Sequence, residues 1–168
     1  MRAVELSDVG PAEWEVILDG EEGVWGPGEQ FDWARKTRHV GVLSDEGLPL
    51  ALAAAVISDV RVADERFAVA GIGSVIVTRS MRGRGLARLV IEAILDLARG
   101  LGPERAMLFC DEPLVALYER FGFREIAAPV TALQPSGAVR MPMRAMWAPL
   151  ADGAQWPAGD VEVLGLPF

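Results

Sequence analysis

The stretch from Gly73 to Arg88 constrains the fold of this chain more than any other. Ser74 to Val77 is a β-branched, apolar run, which predicts a strand. A short basic turn follows, and after it apolar residues recur at helical spacing: Leu86, Leu89, Val90, Ala93, Ile94, Leu97 and Leu101. The chain therefore passes from a buried strand through a glycine turn directly into a helix, which predicts a mixed α/β architecture.

The junction between this strand and this helix has the properties of a phosphate site. The N–H groups of a helix start point outward, and the helix dipole adds roughly half a positive charge there. Gly83 and Gly85 allow a ligand to approach the main chain closely. Four arginines surround the turn: Arg79, Arg82, Arg84 and Arg88. The turn is predicted to bind a phosphate-bearing ligand, and the alternative is a solvated basic turn before a core helix.

Composition excludes several classes of protein. The length of 168 residues predicts a single domain, residues 1–168, and the apolar and charged shares are those of a globular protein. A net charge of −8 argues against a nucleic-acid partner, and one cysteine and one histidine leave no disulfide framework or histidine-cluster metal site. The N-terminus lacks a signal-peptide core, and the longest apolar run, Leu48 to Ile57, is about half a membrane span. We therefore expect a soluble, cytoplasmic protein with no membrane partner.

The pattern of apolar runs and breakers predicts an ordered series of elements. Strands are expected at 2–6, 39–43, 48–62, 66–77, 106–110, 123–133 and 139–149. Helices or helical turns are expected at 12–18, 30–36, 84–100 and 114–121. The tail from Ala151 contains several glycines and prolines together with apolar residues, so it is expected to be irregular and packed.

Two motifs carry a resemblance to a known family. Arg82-Gly-Arg-Gly85-Leu-Ala87 fits the pattern Arg-x-x-Gly-x-Ala, and the segment from Asp111 to Phe123 resembles Asn-x-x-Ala-x-x-Leu-Tyr-x-x-x-Gly-Phe, with Asp111 at the Asn position. Both patterns are typical of the GNAT superfamily of N-acetyltransferases. The resemblance implies the GNAT fold, a mixed and mostly antiparallel twisted sheet of roughly six or seven strands with about four helices on both faces. It also implies an acetyl-CoA cleft between central strands that splay apart.

The resemblance implies an acetyl-CoA-dependent N-acetyltransferase in which a small-molecule primary amine attacks the thioester directly in a ternary complex. It places backbone groups of Val75 and Val77 on the pantetheine arm and the acetyl oxygen. It makes Tyr118, the only tyrosine, the general acid, although an aromatic that only packs helix on sheet is the alternative. The cofactor-binding residues implied are Val75, Ile76, Val77, Arg82, Gly83, Arg84, Gly85, Leu86, Ala87, Asp111, Leu114 and Tyr118. A homodimer is a family expectation.

A finer resemblance concerns the two ends of the chain. Phe31-Asp32-Trp33 and the segment from Trp156 to Val161 look like the aminoglycoside 2′-N-acetyltransferase branch of the superfamily. Substrate-side candidates are Asp32, Trp33, Gly73, Ser74, Asp160 and Glu162. The sequence departs from the branch at Gly73, where the branch carries a Glu, and in the loop Gln134 to Ala138, which lacks the branch's aspartates.

Gly73 leaves the general base unassigned. Either another carboxylate acts through water (Asp32, Asp160, Glu162 or that of Phe168), or the acceptor amine has a low pKa. An α-amino group with a pKa near 8 is about one-tenth neutral at pH 7, which favours a small-molecule or α-amine acceptor over a strongly basic aminoglycoside. A non-catalytic acyl-CoA-binding or sensor protein on the same fold is the alternative, which Gly73 favours and Tyr118 opposes. Cys110 and His39 are interpreted as packing residues.

Overall fold

The chain forms three α-helices and ten strands that are all hydrogen-bonded into one mixed sheet. The computed structural model describes residues 1–168. The strands are Ala3–Leu6 (β1), Arg38–Leu43 (β2), Pro49–Val62 (β3), Glu65–Val77 (β4), Arg105–Cys110 (β5), Arg124–Glu125 (β6), Val130–Gln134 (β7), Gly137–Arg140 (β8), Arg144–Pro149 (β9) and Val161–Val163 (β10). The α-helices are Pro11–Leu18 (α1), Leu86–Arg99 (α2) and Val115–Glu119 (α3), and short 3₁₀ turns lie at Gly26–Gln30, Arg79–Met81 and Glu112–Leu114.

The hairpin of β3 and β4 is the centre of the sheet. Both strands are rich in Ala, Val and Ile, and they pair antiparallel from Val62↔Glu65 to Ala51↔Val77. On the other edge of β3, β2 pairs with its first half and β10 with its second half. On the far side of β4 the order continues through β5 and β9 to β6, with β4 and β5 parallel. The sheet is therefore mixed and mostly antiparallel, as predicted.

Helix α2 covers one face of this sheet. Its buried residues recur at helical spacing and pack on β2, β3 and β4: Leu86, Val90, Ile91, Ile94, Leu95 and Ala98. The helix begins directly after Gly85 and ends at Gly100, with Pro103 beyond it, which confirms the predicted strand–turn–helix unit. No helix combines the length and the apolar run that crossing a bilayer requires.

Strands β4 and β5 separate in the middle of the sheet. Their parallel pairing joins Ala70, Gly71 and Ile72 to Ala106, Met107 and Leu108, and it stops there although both strands continue. The second half of β4 keeps its antiparallel partner β3 on one edge and has no strand on the other. This confirms the expected cleft between splayed central strands.

Several element boundaries differ from the sequence-based expectation. The predicted helical turn at 30–36 is wrong, because the Ala34 N–H donates to Pro167 O (2.7 Å) in the tail instead of continuing a helix. Strand β10 lies in the tail that was expected to be irregular, and the predicted strands at 123–133 and 139–149 each divide near a proline, Pro129 and Pro142. The sheet consequently has more strands, and the fold has fewer helices, than expected.

Candidate functional site

A cavity of about 550 Å³ opens where β4 and β5 part. Its floor is formed by Ile72 to Val75 of β4 and Leu108 to Asp111 at the end of β5. Residues of α1, the 24–36 segment, α3 and the C-terminal Phe168 complete the walls, which are mostly apolar. This volume lies within the range of pockets that hold small organic ligands, roughly 300–1,000 Å³.

A bulge in β4 lies at the mouth of the split. Ala54 pairs with Gly73 and Leu52 with Ile76, so Ser74 and Val75 together oppose a single residue of β3. Ser74 has φ 54°, a left-handed conformation that non-glycine residues rarely adopt. Bulges of this kind bend a strand and re-aim its backbone groups, so the free edge of β4 turns toward the cavity.

The turn after β4 forms an unfilled cradle of N–H groups. The amides of Gly83, Arg84 and Gly85 donate no hydrogen bond within the protein, and those of the first turn of α2 are left free by helix geometry. Gly83 (φ 76°) and Gly85 (φ 80°) have no neighbouring atom within 4 Å of an added Cβ, so the space in front of them is open. Such a cradle at a helix start fits an anionic phosphate group, as the sequence predicts.

The arginines around the cradle differ in their partners. Arg82 donates from Nε to Val77 O (3.2 Å) and from Nη1 to a carboxylate oxygen of Glu21 (3.0 Å), with a second hydrogen bond to the same carboxylate. The hydrogen bond from Arg82 lowers the pKa of Glu21. Arg88 pairs with Glu92 (2.8 Å), whereas Arg84 forms no ion pair. Arg79 likewise forms no ion pair, so Arg79 and Arg84 are the cations available to a bound phosphate, whereas Arg82 would have to exchange partners.

Tyr118 is buried in the cavity wall, with 6% of its surface exposed. Its ring stacks edge-on against Phe123 (5.8 Å between centroids), and its hydroxyl forms no hydrogen bond within the protein. Burial raises the pKa of Tyr118, so the hydroxyl keeps its proton at neutral pH and has that proton free to donate. Burial also raises the pKa of the neighbouring Cys110 to about 11, which makes a thiolate nucleophile unfavourable there and agrees with a packing thiol.

The opposite wall of the cavity is built by aromatic residues from distant parts of the chain. Trp33 donates from Nε1 to Gly28 O (2.8 Å) and packs edge-on against Phe109 (6.3 Å). Phe109 in turn contacts the ring of Phe168 (5.4 Å between centroids), which is 2% exposed. Phe168 lies directly over Gly71, since a Cβ there would be 2.2 Å from the ring. The C-terminal residue therefore covers β4 on this side of the cavity.

Lys36 also lines the cavity, and sequence reasoning missed it. Its side chain fills the space in front of Gly73, where an added Cβ would lie 2.7 Å from Cε and 3.2 Å from Nζ. Burial lowers the pKa of Lys36 to about 8. Lys36 is the only lysine beside fifteen arginines, which in the sequence alone is interpreted as a composition bias, so only its position in the cavity indicates a role.

The structure separates the residues predicted to hold the acceptor. Trp33, Gly73 and Ser74 line the cavity together with the predicted cofactor residues Val75, Asp111, Leu114 and Tyr118. Asp32 is exposed and lies outside it, with its backbone bound to the side-chain amide of Gln134 (2.8 and 2.9 Å). Asp160 and Glu162 lie beside the far end of β3, where Glu162 pairs with Arg61 (3.0 Å). These three carboxylates therefore do not converge on the cavity.

Comparison with known sequences agrees with the motifs. The sequence model described as the acetyltransferase (GNAT) family matches residues 11–123, which is well over half of the chain. A search of curated proteins found no match. The family match includes the phosphate cradle, the splayed strands and Tyr118.

Solved structures share the fold at low sequence identity. The GNAT family N-acetyltransferase YhbS from Escherichia coli, in complex with CoA, superposes with a TM-score of 0.63 at 23% identity, covering 99% of this chain and 96% of that one. The ribosomal-protein-S18-alanine N-acetyltransferase from Escherichia coli gives 0.57 at 18%, covering 92% and 99%. A GNAT family acetyltransferase from Brucella melitensis in complex with acetyl-CoA gives 0.56 at 20%, covering 95% and 94%.

Proposed function

Because the chain belongs to the acetyltransferase (GNAT) family, we propose that it is an acetyl-CoA-dependent N-acetyltransferase acting on a primary amine of a small molecule. The observation that carries this proposal is the open N–H cradle at Gly83 to Gly85, placed beside the unpaired edge of β4 and a mostly apolar cavity. All ten strands belong to one sheet, which supports residues 1–168 acting as a single domain.

The residues present fit acetyl-CoA. The free amides from Gly83 to Ala87 suit its pyrophosphate, and Arg84 and Arg82 supply positive charge beside them. The unpaired edge of β4 over Val75 to Val77 offers backbone groups to an extended chain such as the pantetheine arm. Leu114 and Asp111 border the cavity on the side of β5.

When bound, acetyl-CoA would supply an activated acetyl group for transfer to the acceptor nitrogen, and its sulfur would leave as a thiol whose proton balances the one that the nitrogen loses. The hydroxyl of Tyr118 in the cavity wall has no hydrogen-bond partner within the protein, and we assign it to stabilise the sulfur by donating a hydrogen bond. Backbone N–H groups at the bulge of β4 are the donors available to the acetyl oxygen. A main-chain N–H can stabilise the negative charge that develops on this oxygen without help from a side chain.

The acceptor side of the cavity favours a small molecule. Its walls are the tail and the 24–36 segment, and Trp25, Trp33 and Phe168 give it an aromatic lining. Residues from both ends of the chain line this side of the cavity. An acceptor with an apolar body and one amine is the chemistry that this lining supports.

Calorimetric titration with acetyl-CoA is the first test. Wild-type protein is expected to bind, whereas Gly85→Asp is expected to lose binding, since it adds a carboxylate and forces a side chain into φ 80°. Gly153→Asp is the matched control, with φ 77° and open space around it in the turn that follows β9. Release of free thiol with a panel of small amines would then separate the enzyme from a non-catalytic acyl-CoA sensor, which would bind without turnover.

A further inference from the structure

Lys36 lies where the strands begin to part. Its Nζ stands within 3.2 Å of the position that a Cβ of Gly73 would occupy, and Gly73 is the first residue of β4 beyond its pairing with β5. Any side chain at position 73 would collide with the Lys36 stem, so the glycine makes room for the lysine. The amine is thereby held on the cavity floor, next to Ser74 and the bulge.

No Asp or Glu side chain forms an ion pair with Lys36, and its one hydrogen-bond acceptor is Ala34 O (3.2 Å). The carboxyl carbon of the C-terminal Phe168 lies on the same side of Gly73, 3.1 Å from the position that an added Cβ would occupy. The other titratable groups facing the cavity are Glu29 from the 26–30 turn, Cys110, Asp111, Tyr118 of α3 and the main-chain carboxyl group of Phe168. Burial, and to a smaller degree the charge of Lys36, lowers the pKa of His39 on β2. Burial also lowers the pKa of Lys36 to about 8, so its neutral amine is accessible near that pH.

The choice of lysine is itself informative. The chain has sixteen basic residues, and Lys36 is the single lysine among them. An arginine at this position would hold an anionic group at least as well, but its guanidinium keeps its proton at every physiological pH. A lysine differs in that it can give up its proton when it is desolvated.

We propose that Lys36 is the general base of the reaction, its neutral amine taking the proton from the acceptor's ammonium group. This rests on the proposed acetyltransferase function. The proton moves from R–NH₃⁺ to the Lys36 Nζ, which becomes an ammonium and returns the proton to solvent. The freed R–NH₂ then has the electron pair that forms the new N–C bond, and the second proton it loses balances the one taken up by the sulfur.

The titration of Lys36 can be observed directly, without any activity. Because it is the only lysine, protein grown on ¹³C-labelled lysine gives one ε-methylene resonance whose shift follows the charge of the amine. A midpoint near pH 8 is expected. A midpoint at the ordinary value of about 10.4 would overturn the proposal, because the base would then be almost wholly protonated at neutral pH.

The pH dependence of kcat/KM tests the catalytic role. Lys36→Met and Lys36→Arg are both expected to lower kcat/KM by about 10²–10³-fold at pH 8 and to remove the wild-type rise with pH. The pKa values of Cys110 and Tyr118 are both raised above pH 8, so neither group accounts for a rise in kcat/KM near pH 8. The loss should shrink toward none with an acceptor amine of low pKa, which reaches the site already neutral.

Three outcomes distinguish the possible failures. Activity retained by Lys36→Arg alone would make Lys36 a binding cation and overturn the base assignment. A Lys36→Met variant with the wild-type profile would overturn it while leaving the acetyltransferase function intact. Absence of thiol release from the wild type with every amine would instead overturn the proposed function and this proposal with it. Calorimetry with acetyl-CoA, unchanged in both variants, is the control for folding.

Discussion

The two sides of the cleft are built in different ways. The proposed cofactor side comes mainly from one continuous stretch, residues 73–88, and it would act mostly through main-chain N–H groups. The proposed acceptor side comes from the 14–36 segment and Phe168, joined by the hydrogen bond from Ala34 N to Pro167 O (2.7 Å), and it would act through side chains. A site made of backbone needs only a local conformation, whereas a site made of side chains needs the whole fold to be assembled. Changes on the two sides should therefore have separable effects.

The largest effect is expected from Tyr118→Phe. Removing the hydroxyl should lower kcat by about 10²–10⁴-fold while leaving acetyl-CoA affinity unchanged. Stability should also be unchanged, because this hydroxyl forms no hydrogen bond within the protein and the ring contact with Phe123 is kept. Steady-state kinetics and thermal unfolding of the same preparation measure both. An undiminished kcat would show that the tyrosine only packs α3 on the sheet.

Phe168→Ala is expected to damage the acceptor side alone. The ring is 2% exposed, and it packs on Phe109 and over Gly71, so truncation should cost roughly 3–5 kcal/mol of unfolding free energy. KM for the amine should rise, and the Kd for acetyl-CoA should stay constant under conditions where the variant is folded. Leu166→Ala, at a side chain that is 36% exposed, is the matched control and should change stability by less than about 0.5 kcal/mol. An equal loss of cofactor binding would contradict the separation of the two sides.

The cofactor side was largely predictable from sequence, for physical reasons. A strand, two glycines and an amphipathic helix determine where the N–H groups point, and Gly83, Gly85 and Leu86 could be assigned from their immediate neighbours. The divergence of β4 from β5 was expected only through the family resemblance, because the bulge at Ser74 has no local sequence signal.

The acceptor side could not be derived in the same way. Lys36 matters because Gly73, distant in sequence, leaves room for it, and the 30–36 segment is non-helical because the tail supplies its hydrogen-bond acceptor. Asp160 and Glu162 are substrate candidates through the finer family resemblance, yet the register of β10 on β3 takes them to the far end of the sheet. They remain substrate predictions from resemblance, without support from their position.

Lys36→Met is expected to stabilise the protein while disabling the acceptor side. Lys36 has a pKa of about 8 when folded and about 10.4 when unfolded, so between these two pH values the unfolded state binds more protons than the folded state. Wild-type stability should therefore rise with pH between about 8 and 10.4, and Lys36→Met should lack that rise. At pH 7 the variant should be more stable by roughly 2–3 kcal/mol, measured by urea denaturation, and the difference should vanish above about pH 10.5. If Lys36→Met were less stable than the wild type at pH 7, burial would not be destabilising the charged form of the lysine.

The smallest effect is expected from Glu21→Gln, which acts on the link between the two sides. Glu21 precedes the 24–36 segment and holds the Arg82 guanidinium, which also donates to Val77 O. A phosphate competing for Arg82 has to displace this carboxylate, and exposed ion pairs of this kind contribute less than about 1 kcal/mol. Acetyl-CoA should therefore bind a few-fold more tightly to Glu21→Gln, whereas the adjacent Glu22→Gln, which removes no ion pair, should change nothing. Weaker binding by Glu21→Gln would instead mean that the carboxylate holds Arg82 in the orientation that the phosphate requires, which would make the link between the two sides cooperative and not competitive.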